Sequence, residues 1–487
     1  MLARLLAAAL GVSVPMVLAR VLVPADFGTY KQAWLVATTL HQVLPLGMTL
    51  SLYYFVPREP ERRGAFLGQA LLFTTAAGAV AAAALLLARA PLDAHFGNPA
   101  LRSALPWIAA STAFLLAGTS LDVAYNSLGN VRAGAAVRVL TEVGRGLAMV
   151  AGALWTHSVV GVLAGIAIAT GLRAALGLAL LAREARLELS RKDLRRQLAY
   201  AIPFGVAALL FVPQQSFHQW AVAAHVDAAA FAVYAVGCFQ LPIVDVLYTP
   251  VSEILQLGIA EAERQGRRGA ALALFREAVA RLGFVFVPTM GLLLAVAPWL
   301  VAFLFTDRYL AAVPVMRVSV LTVALAALPL DGVLRARAAR RFMLLSSAAK
   351  LALTVPLVLA GLSTVGVVGA IGGFVLAEAI VRGWQLRRAA RLLGTGLLGV
   401  LPWGELARLA LATAVAMPLA WGAANGLPAP AFFRLAAAGL AFAVAYLAVL
   451  AWGGWLPAGF RERARAVLPR PWRARGGGSS PSRAASA

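Results

Sequence analysis

The sequence predicts an all-α polytopic membrane protein with about fourteen transmembrane helices. Its 487 residues are 61% hydrophobic and only 13% charged, with a mean hydropathy of +0.82. A soluble chain carries about 25% charged residues. Apolar stretches of roughly 20 residues, enough to cross a ~30 Å hydrocarbon core, recur along the whole chain. The connections between them alternate in charge, as expected when the chain crosses a membrane repeatedly.

The apolar stretches define the helices in order. The first follows the initiating methionine and lacks a small-residue cleavage site before a soluble segment, so we interpret it as a retained span. Prolines inside several spans predict broken helices, which a bundle tolerates because neighbouring helices satisfy the freed carbonyl groups. The predicted spans are 2–23, 29–55, 65–88, 101–127, 136–156, 159–182, 199–223, 229–257, 282–305, 311–334, 342–361, 364–384, 405–425 and 431–455.

Basic residues concentrate in every second connection. Examples are the segments 57–64, 183–198 and 335–341, whereas the longest connection of the other set, near 89–100, holds one carboxylate, Asp93. The positive-inside rule makes the basic connections and both termini cytoplasmic. The formal net charge of +23 is thereby explained without a nucleic-acid partner.

The first twelve spans contain an internal repeat. Phe27 and Tyr30 stand around the turn that leads into the second span, and Phe231 and Tyr234 stand around the turn that leads into the eighth. Further matches in the same order pair residues 96–101 with 305–310 and Leu121-Asp122 with Leu330-Asp331. A repeat of six spans returns the chain to its starting side, so the two copies have parallel orientations.

The repeat divides the chain into five predicted regions. We expect two parallel six-helix lobes joined by a basic linker along the cytoplasmic membrane surface, then a helix pair and a basic tail without apolar periodicity. Their bounds are 1–182 for the first lobe, 183–198 for the linker, 199–391 for the second lobe, 392–455 for the last pair and 456–487 for the tail.

This architecture resembles the multidrug, oligosaccharidyl-lipid and polysaccharide exporter superfamily. Within it, LARVLVPADFGTYKQA (18–33) and LFTDRYLAAVPVMRV (304–318) resemble the polysaccharide (O-antigen type) flippases. The resemblance implies alternating access that moves a lipid-diphosphate-linked saccharide to the outer leaflet of a bacterial inner membrane, for surface polysaccharide biosynthesis. It also implies membrane lipids, a polysaccharide polymerase and glycosyltransferases as partners.

Ionisable residues within the spans are the candidate binding groups, because charge in a bilayer usually faces a cavity or a partner. A diphosphate headgroup calls for cations, and we interpret Arg145, Arg317 and Lys350 as its candidate ligands. Lys31 is a further candidate, although it lies near enough to a span end to reach the interface. Arg145 also stands three residues from Glu142, so the two side chains could instead neutralise each other on one helix face.

The seventh span carries polar residues suited to a sugar. Gln214 and His218 lie four residues apart and share a helix face. Amide groups can bind hydroxyls, but a polar contact between helices is the alternative interpretation. The histidines show no metal-ligand spacing and Cys238 is the only cysteine, so the sequence predicts no metal site, catalytic residue or cofactor.

Other function classes fit less well. The sequence has no phosphate-binding G-x-x-x-x-G-K-[ST] loop, no H-E-x-x-H and no G-x-S-x-G. A membrane glycosyltransferase or ligase would need a larger outer loop than the connection near 89–100. A MATE-type multidrug or cation antiporter and a lipid II-type flippase share the architecture and remain the alternatives to a polysaccharide flippase.

The predicted topology can be tested by cysteine labelling in a Cys238→Ala background. Cysteines replacing Val226 and Leu427 should react with an impermeant thiol reagent added outside the cell. Cysteines replacing Arg195 and Arg340 should react only after the membrane is opened. Reversed labelling at any two of these sites would contradict the layout.

Overall fold

The computed structural model describes residues 2–184, 186–239, 243–267 and 269–455, in which all regular secondary structure is helical. The α-helices of the first repeat are α1 Leu2–Val21, α2 Pro24–Val43, α3 Met48–Arg58, α4 Arg63–Leu87, α5 Arg89–Phe96, α6 Pro99–Ala117, α7 Leu121–Ser127, α8 Val131–Thr156 and α9 Val159–Glu184. Those of the second repeat are α10 Arg191–Ala223, α11 Ala228–Gly237, α12 Ile243–Arg264, α13 Ala270–Phe305, α14 Val313–Ser319, α15 Leu321–Leu325, α16 Leu330–Ala336, α17 Arg340–Val365 and α18 Val367–Leu392. The remaining helices are α19 Leu397–Val400, α20 Trp403–Gly426 and α21 Ala431–Trp452.

The all-α polytopic fold is confirmed, and the count of spans is only partly supported. Eleven helical segments in the described chain are long and apolar enough to cross a membrane. The predicted spans 2–23, 136–156 and 229–257 fall outside this set, because they contain shorter apolar helices or several charged residues. Fourteen spans therefore stay a prediction. The basic tail, 456–487, lies outside the described residues.

The second and fourth spans of each repeat are broken into shorter helices. In the first repeat α2 gives way to α3 around Gly47, where φ is +76°, and α6 is separated from α7 by Gly118 and neighbouring turn residues. In the second repeat α11 is separated from α12, and the predicted span 311–334 consists of α14, α15 and α16. The same positions are interrupted in both copies, which supports the duplication.

The last hairpin of each repeat packs through matching glycines. A Cβ added to Gly152 on α8 would lie 2.1 Å from the carbonyl oxygen of Gly161 on α9. A Cβ added to Gly361 on α17 would lie 2.1 Å from the carbonyl oxygen of Gly369 on α18. Small residues allow this approach, and van der Waals packing is a main source of helix association in membranes.

The two repeats meet where α2 packs against α11. The contact is so close that a Cβ on Gly28 would lie 1.7 Å from the carbonyl oxygen of Ala228. Phe27, Tyr30, Phe231 and Tyr234, the residues that mark the repeat in the sequence, are all buried around this contact. The duplicated segments therefore face each other across the interface.

The predicted linker packs on the first repeat. Its helix-free part is shorter than 183–198, because α9 ends at Glu184 and α10 begins at Arg191. The amide of Glu188 donates to the carbonyl of Gly64 at 3.2 Å, and Gln69 donates to the carbonyl of Ser190 at 2.7 Å. These bonds fasten the segment to α4.

Two ion pairs secure the start of α10. Arg62 contacts Asp193 at 2.8 Å, and Arg196 contacts Glu59 at 2.6 Å. The hydrogen bond from Arg196 holds the pKa of Glu59 below its ordinary value. Both pairs include an exposed side chain, so we expect them to contribute little to the stability of the fold. Their main effect is to fix the orientation of the connection.

The longest of the connections predicted to lie outside the cell also contains regular structure. The segment near 89–100, expected to be a loop, forms the short helix α5. It is followed by Asn98, whose side chain accepts from the amide of Ala100 at 3.1 Å and donates to Thr29 and Gln32 at 2.9 and 2.7 Å. Asn98 thus caps α6 and ties it to α2.

The glycine hairpin of the second repeat generates a stability prediction. Gly373→Ala should lower the midpoint of thermal unfolding in detergent, because the added Cβ would lie 2.2 Å from the carbonyl oxygen of Leu357. Forced overpacking of this kind costs about 1–3 kcal/mol. The adjacent Gly372→Ala is a matched control, since nothing lies within 4 Å of its added Cβ. Equal effects of the two substitutions would contradict this account of the hairpin.

Candidate functional site: a cavity between the repeats

The candidate site is a cavity of about 790 Å³ between the two repeats. The first repeat contributes only α2 to its wall, through residues from Lys31 to Gln42. The second repeat contributes α10 to α15 and α18. A volume of this size lies within the usual range for small-molecule pockets, about 300–1,000 Å³.

The outer end of the cavity, on the side that the sequence predicts to be extracytoplasmic, is closed by aromatic rings. The ring of Phe27 packs edge-on against Tyr309, with the centroids 5.7 Å apart. Phe27, Phe231 and Tyr309 are at most 1% exposed. Because α2 begins at this end and rises about 1.5 Å per residue, Lys31 lies roughly one turn below the aromatic layer.

An arginine fastens the same end between the repeats. Arg20, at the end of α1, donates to the carbonyl of Leu304 at 2.7 Å and also to the carbonyl of Phe303. These two carbonyls belong to the last turn of α13, where the helix leaves its own acceptors unpaired and attracts a cation. The outer end is therefore closed by a buried aromatic layer and by the hydrogen bonds of Arg20 to α13.

Two cations share one carboxylate in the second repeat. Glu378 on α18 accepts from Lys350 on α17 at 2.5 Å and from Arg382 one turn further along α18 at 2.7 Å. Arg382 also donates to the carbonyl of Leu328 at 3.0 Å. Glu378 and Arg382 line the cavity, and Lys350 lies behind them. The cluster carries a net positive charge, because a single carboxylate balances two cations.

Lys31 supplies a second positive charge to the wall. Its ammonium lies 5.3 Å from the ring centroid of Phe27 and 5.5 Å from that of Tyr30. Among the described residues it forms no ion pair. Rings that contact a cation stabilise it when water is scarce. The nearest partners that the structure shows for the Lys31 ammonium are therefore aromatic faces.

Arg145 acts behind the wall. It pairs with Glu142 at 2.5 Å, the alternative considered from the sequence. Its guanidinium lies 5.2 Å from the ring centroid of Trp34, and Trp34 itself lines the cavity. Arg145 thus supports an aromatic wall residue and is not among the residues that line the cavity.

Gln214 and His218 are both buried, but their environments differ. His218 lines the cavity, and its Nδ1 lies 2.7 Å from the hydroxyl of Tyr234. Gln214 donates to the carbonyl of Leu210 on its own helix at 3.3 Å and is not among the lining residues. The histidine thus combines a contact between helices with a face on the cavity.

Arg317 lies away from the cavity. Its side chain is exposed on α14 and does not line the wall. The predicted tenth span is broken into α14, α15 and α16. Val313, Met316 and Ser319 form the buried face of α14, so the side chain of Arg317 lies outside that face.

Arg382 is the cavity residue that sequence reasoning missed. It stands near the end of the predicted span 364–384 and was counted with the cations of the basic connection that follows. In the structure α18 continues to Leu392 and keeps Arg382 inside the bundle. The spacing of four residues from Glu378 was the signal that could have identified it.

The matching aspartates of the two repeats contact neighbouring side chains. Asp122 on α7 lies 3.6 Å from Arg173 on α9. Its repeat counterpart Asp331 accepts from the hydroxyl of Tyr248 and pairs with Arg335 at 3.3 Å. Neither aspartate lines the cavity.

The shared carboxylate yields a prediction about stability. Glu378→Gln should destabilise the protein more than Lys350→Met, because Gln would leave two buried cations without their counter-charge. Breaking a buried ion pair in this way costs about 3–5 kcal/mol. After Lys350→Met, Glu378 keeps its bond to Arg382. Thermal unfolding of the two purified variants in detergent measures the difference, and equal losses would show that Glu378 is not the centre of the cluster.

Comparison with known proteins places the chain in a family. A family model described as a polysaccharide biosynthesis protein matches residues 17–314. This match includes the whole of the segment 18–33 and most of the segment 304–318, which carried the resemblance seen in the sequence. No curated protein sequence matches the chain.

Solved structures show what the fold is similar to. The lipid II flippase MurJ in an inward closed conformation has a TM-score of 0.71 at 13% identity, over 92% of this chain and 97% of that chain. An inward-facing multidrug resistance MATE transporter of the MOP superfamily has a TM-score of 0.64 at 13% identity, over 81% and 95%. The Vibrio cholerae MATE transporter VcmN has a TM-score of 0.53 at 18% identity, over 80% and 94%.

The shared fold agrees with the architecture predicted from the repeat and the broken spans. Since the family model covers more than half of the residues, this multi-pass membrane protein belongs to the polysaccharide biosynthesis protein family.

Proposed function

We propose that the chain is a transporter that flips a lipid-diphosphate-linked oligosaccharide from the cytoplasmic to the outer leaflet by alternating access. We further propose that it acts without an enzymatic step, in a bacterial inner membrane, with both termini in the cytoplasm. The observation that carries this proposal is the cavity between the repeats, which is closed at its outer end and has a mixed polar and apolar lining with a net positive charge.

The uncharged polar lining suits a saccharide. Hydroxyl and amide groups can both donate to and accept from sugar hydroxyls. The aromatic ring of Trp34, backed by Arg145, offers a flat surface for a pyranose. The uncharged polar side chains in the wall include Thr38, Thr39, Gln42, Gln215, Ser216, Gln219, Ser319 and Thr322.

The charged lining suits a diphosphate. Lys31 and Arg382 face the cavity together with one carboxylate, Glu378. Electrostatic attraction is stronger here than in bulk water, because the effective dielectric constant of a partly buried site is lower. The guanidinium of Arg382 can present paired donors to phosphate oxygens, and the ammonium of Lys31 acts as a compact point charge.

Alternating access requires the two halves to move against each other. We propose that the lobes 1–182 and 199–391 are the moving bodies, with α20 and α21 packed on α13 of the second lobe. The structural neighbours are named a lipid II flippase and multidrug or MATE transporters, which supports transport as the activity. A polysaccharide polymerase and glycosyltransferases are the partners that such a role would require.

Lys31 provides the most direct test. Lys31→Gln should reduce surface polysaccharide about tenfold or more in a strain that depends on this gene, because it removes cavity charge without leaving a described carboxylate unpaired. Lys31→Arg should retain part of the activity, since the charge persists. Polysaccharide is measured by immunoblot, with membrane protein level determined in parallel.

Arg317→Gln is the matched control, because it removes one positive charge from an exposed side chain outside the cavity. It should export polysaccharide at the wild-type level. Full activity of Lys31→Gln would contradict the cationic site. Export of cationic drugs without any effect on polysaccharide would instead support the antiporter alternative.

A further inference from the structure

A second pocket, of about 510 Å³, lies between α17 and α18 at the ends predicted to be cytoplasmic. We call it the α17–α18 pocket. It shares no lining residue with the central cavity. Its wall consists of Arg341, Phe342 and Leu345 from α17 and of Trp384, Arg387, Arg388 and Arg391 from α18.

Helix geometry brings these side chains onto one face. Arg341 and Leu345 are four residues apart on α17, and Trp384, Arg388 and Arg391 follow one another at intervals of four and three on α18. Side chains on another face of α17, including Ser346 and Lys350, are buried within the bundle. The pocket therefore opens on the outer surface of the helix pair and not towards the transport path.

Aromatic rings form the floor of the pocket. Phe342 and Trp384 pack edge to face, with centroids 4.9 Å apart. The guanidinium of Arg388 lies 5.9 Å from the centroid of Phe342. Beneath the floor, Gln385 donates to Ser346 at 3.2 Å, and the glycine hairpin holds α17 and α18 together. The pocket is thus preformed on a rigid pair of helices.

The positive charge of the pocket has no counter-charge within it. Four arginines line it without a carboxylate. The acidic residue nearest along α18, Glu378, is already bound by Lys350 and Arg382. In the part of the chain that the structure describes, the Nε of Arg388 is buried and lacks a hydrogen-bond partner. A buried donor of this kind is costly unless an acceptor completes it.

The start of α17 also favours an anion beside these arginines. Its N-cap, Ala339, provides no side-chain acceptor. The amide of Arg340 donates to the carbonyl of Ala338 at 2.8 Å, and the amides of Arg341 and Phe342 have no side-chain cap. Arg341 stands in the first turn, where the helix dipole disfavours a cation and favours an anion. An anion bound here would satisfy both the amides and the arginines.

The geometry points to a phospholipid site: we propose that the α17–α18 pocket binds the phosphodiester headgroup of an anionic phospholipid from the cytoplasmic leaflet. Basic residues at this level are attracted to anionic lipid headgroups. Trp384 is 38% exposed, and the neighbouring Leu344 is 55% exposed on the same helix pair. This apolar surface beside the arginines suits an acyl chain and not a soluble phosphate.

The proposal is tested with the full chain in phosphatidylcholine nanodiscs that contain increasing amounts of phosphatidylglycerol. Retained phosphatidylglycerol is counted by native mass spectrometry. The double variant Arg341→Gln/Arg387→Gln should bind it about 30-fold more weakly, because each arginine near the membrane surface contributes about fivefold. Both side chains are exposed, so the variant should fold normally.

The matched control is Arg132→Gln/Arg138→Gln, which removes the same charge from exposed positions on α8, the counterpart of α17 in the first repeat. It should retain binding. Equal loss of phosphatidylglycerol binding in both variants would overturn the proposal, because binding would then depend on the overall positive charge of the surface. Full competition by millimolar inorganic phosphate would assign the pocket to a soluble anion, and preferential displacement by a polyprenyl diphosphate would assign it to substrate loading. Either result would overturn the phospholipid assignment.

Discussion

The close backbone contact between α2 and α11 sets the geometry of the whole bundle. At Gly28 the two helices approach so closely that even a Cβ atom on this residue would clash with the carbonyl of Ala228. Lipid tails are as apolar as leucine, so helices in a membrane associate through tight packing and polar contacts rather than through the hydrophobic effect. This contact gathers Phe27, Phe231 and Tyr309 into a dry layer. The central cavity forms below that layer, where the helices diverge.

The charged groups around the cavity have partners that offset the free-energy cost of placing them inside the bundle. A charge inside the bundle is expensive unless it is paired or faces water. Glu378 meets this requirement for Lys350 and Arg382 at once, and aromatic rings partly meet it for Lys31. One carboxylate for two cations leaves an excess of positive charge beside an otherwise uncharged polar wall.

The duplication has produced two halves with the same framework and different roles. Both repeats break their second and fourth spans, close their last hairpin with glycines and place an aspartate near the inner end of the fourth span. On the corresponding helices α9 and α18, Arg173 contacts Asp122, whereas Arg382 pairs with Glu378 and lines the cavity. The first repeat gives the cavity one helix, and the second gives most of the wall. A shared framework thus leaves side chains free to diverge.

The sequence by itself determined the all-α polytopic fold, the repeat and the family resemblance, because hydropathy, loop charge and the order of short motifs are local properties that survive in any packing. It also identified Lys31 and His218, which the structure places on the cavity wall. Only the tertiary structure decided which remaining charges face the cavity. Arg317 lies on the exposed face of α14 and Arg382 on the cavity face of α18, because packing against neighbouring helices decides which face of each helix turns inward. Packing of neighbouring helices also decides that Arg145 pairs with Glu142 and that Lys350 lies behind Glu378. Periodicity along one chain cannot specify such packing.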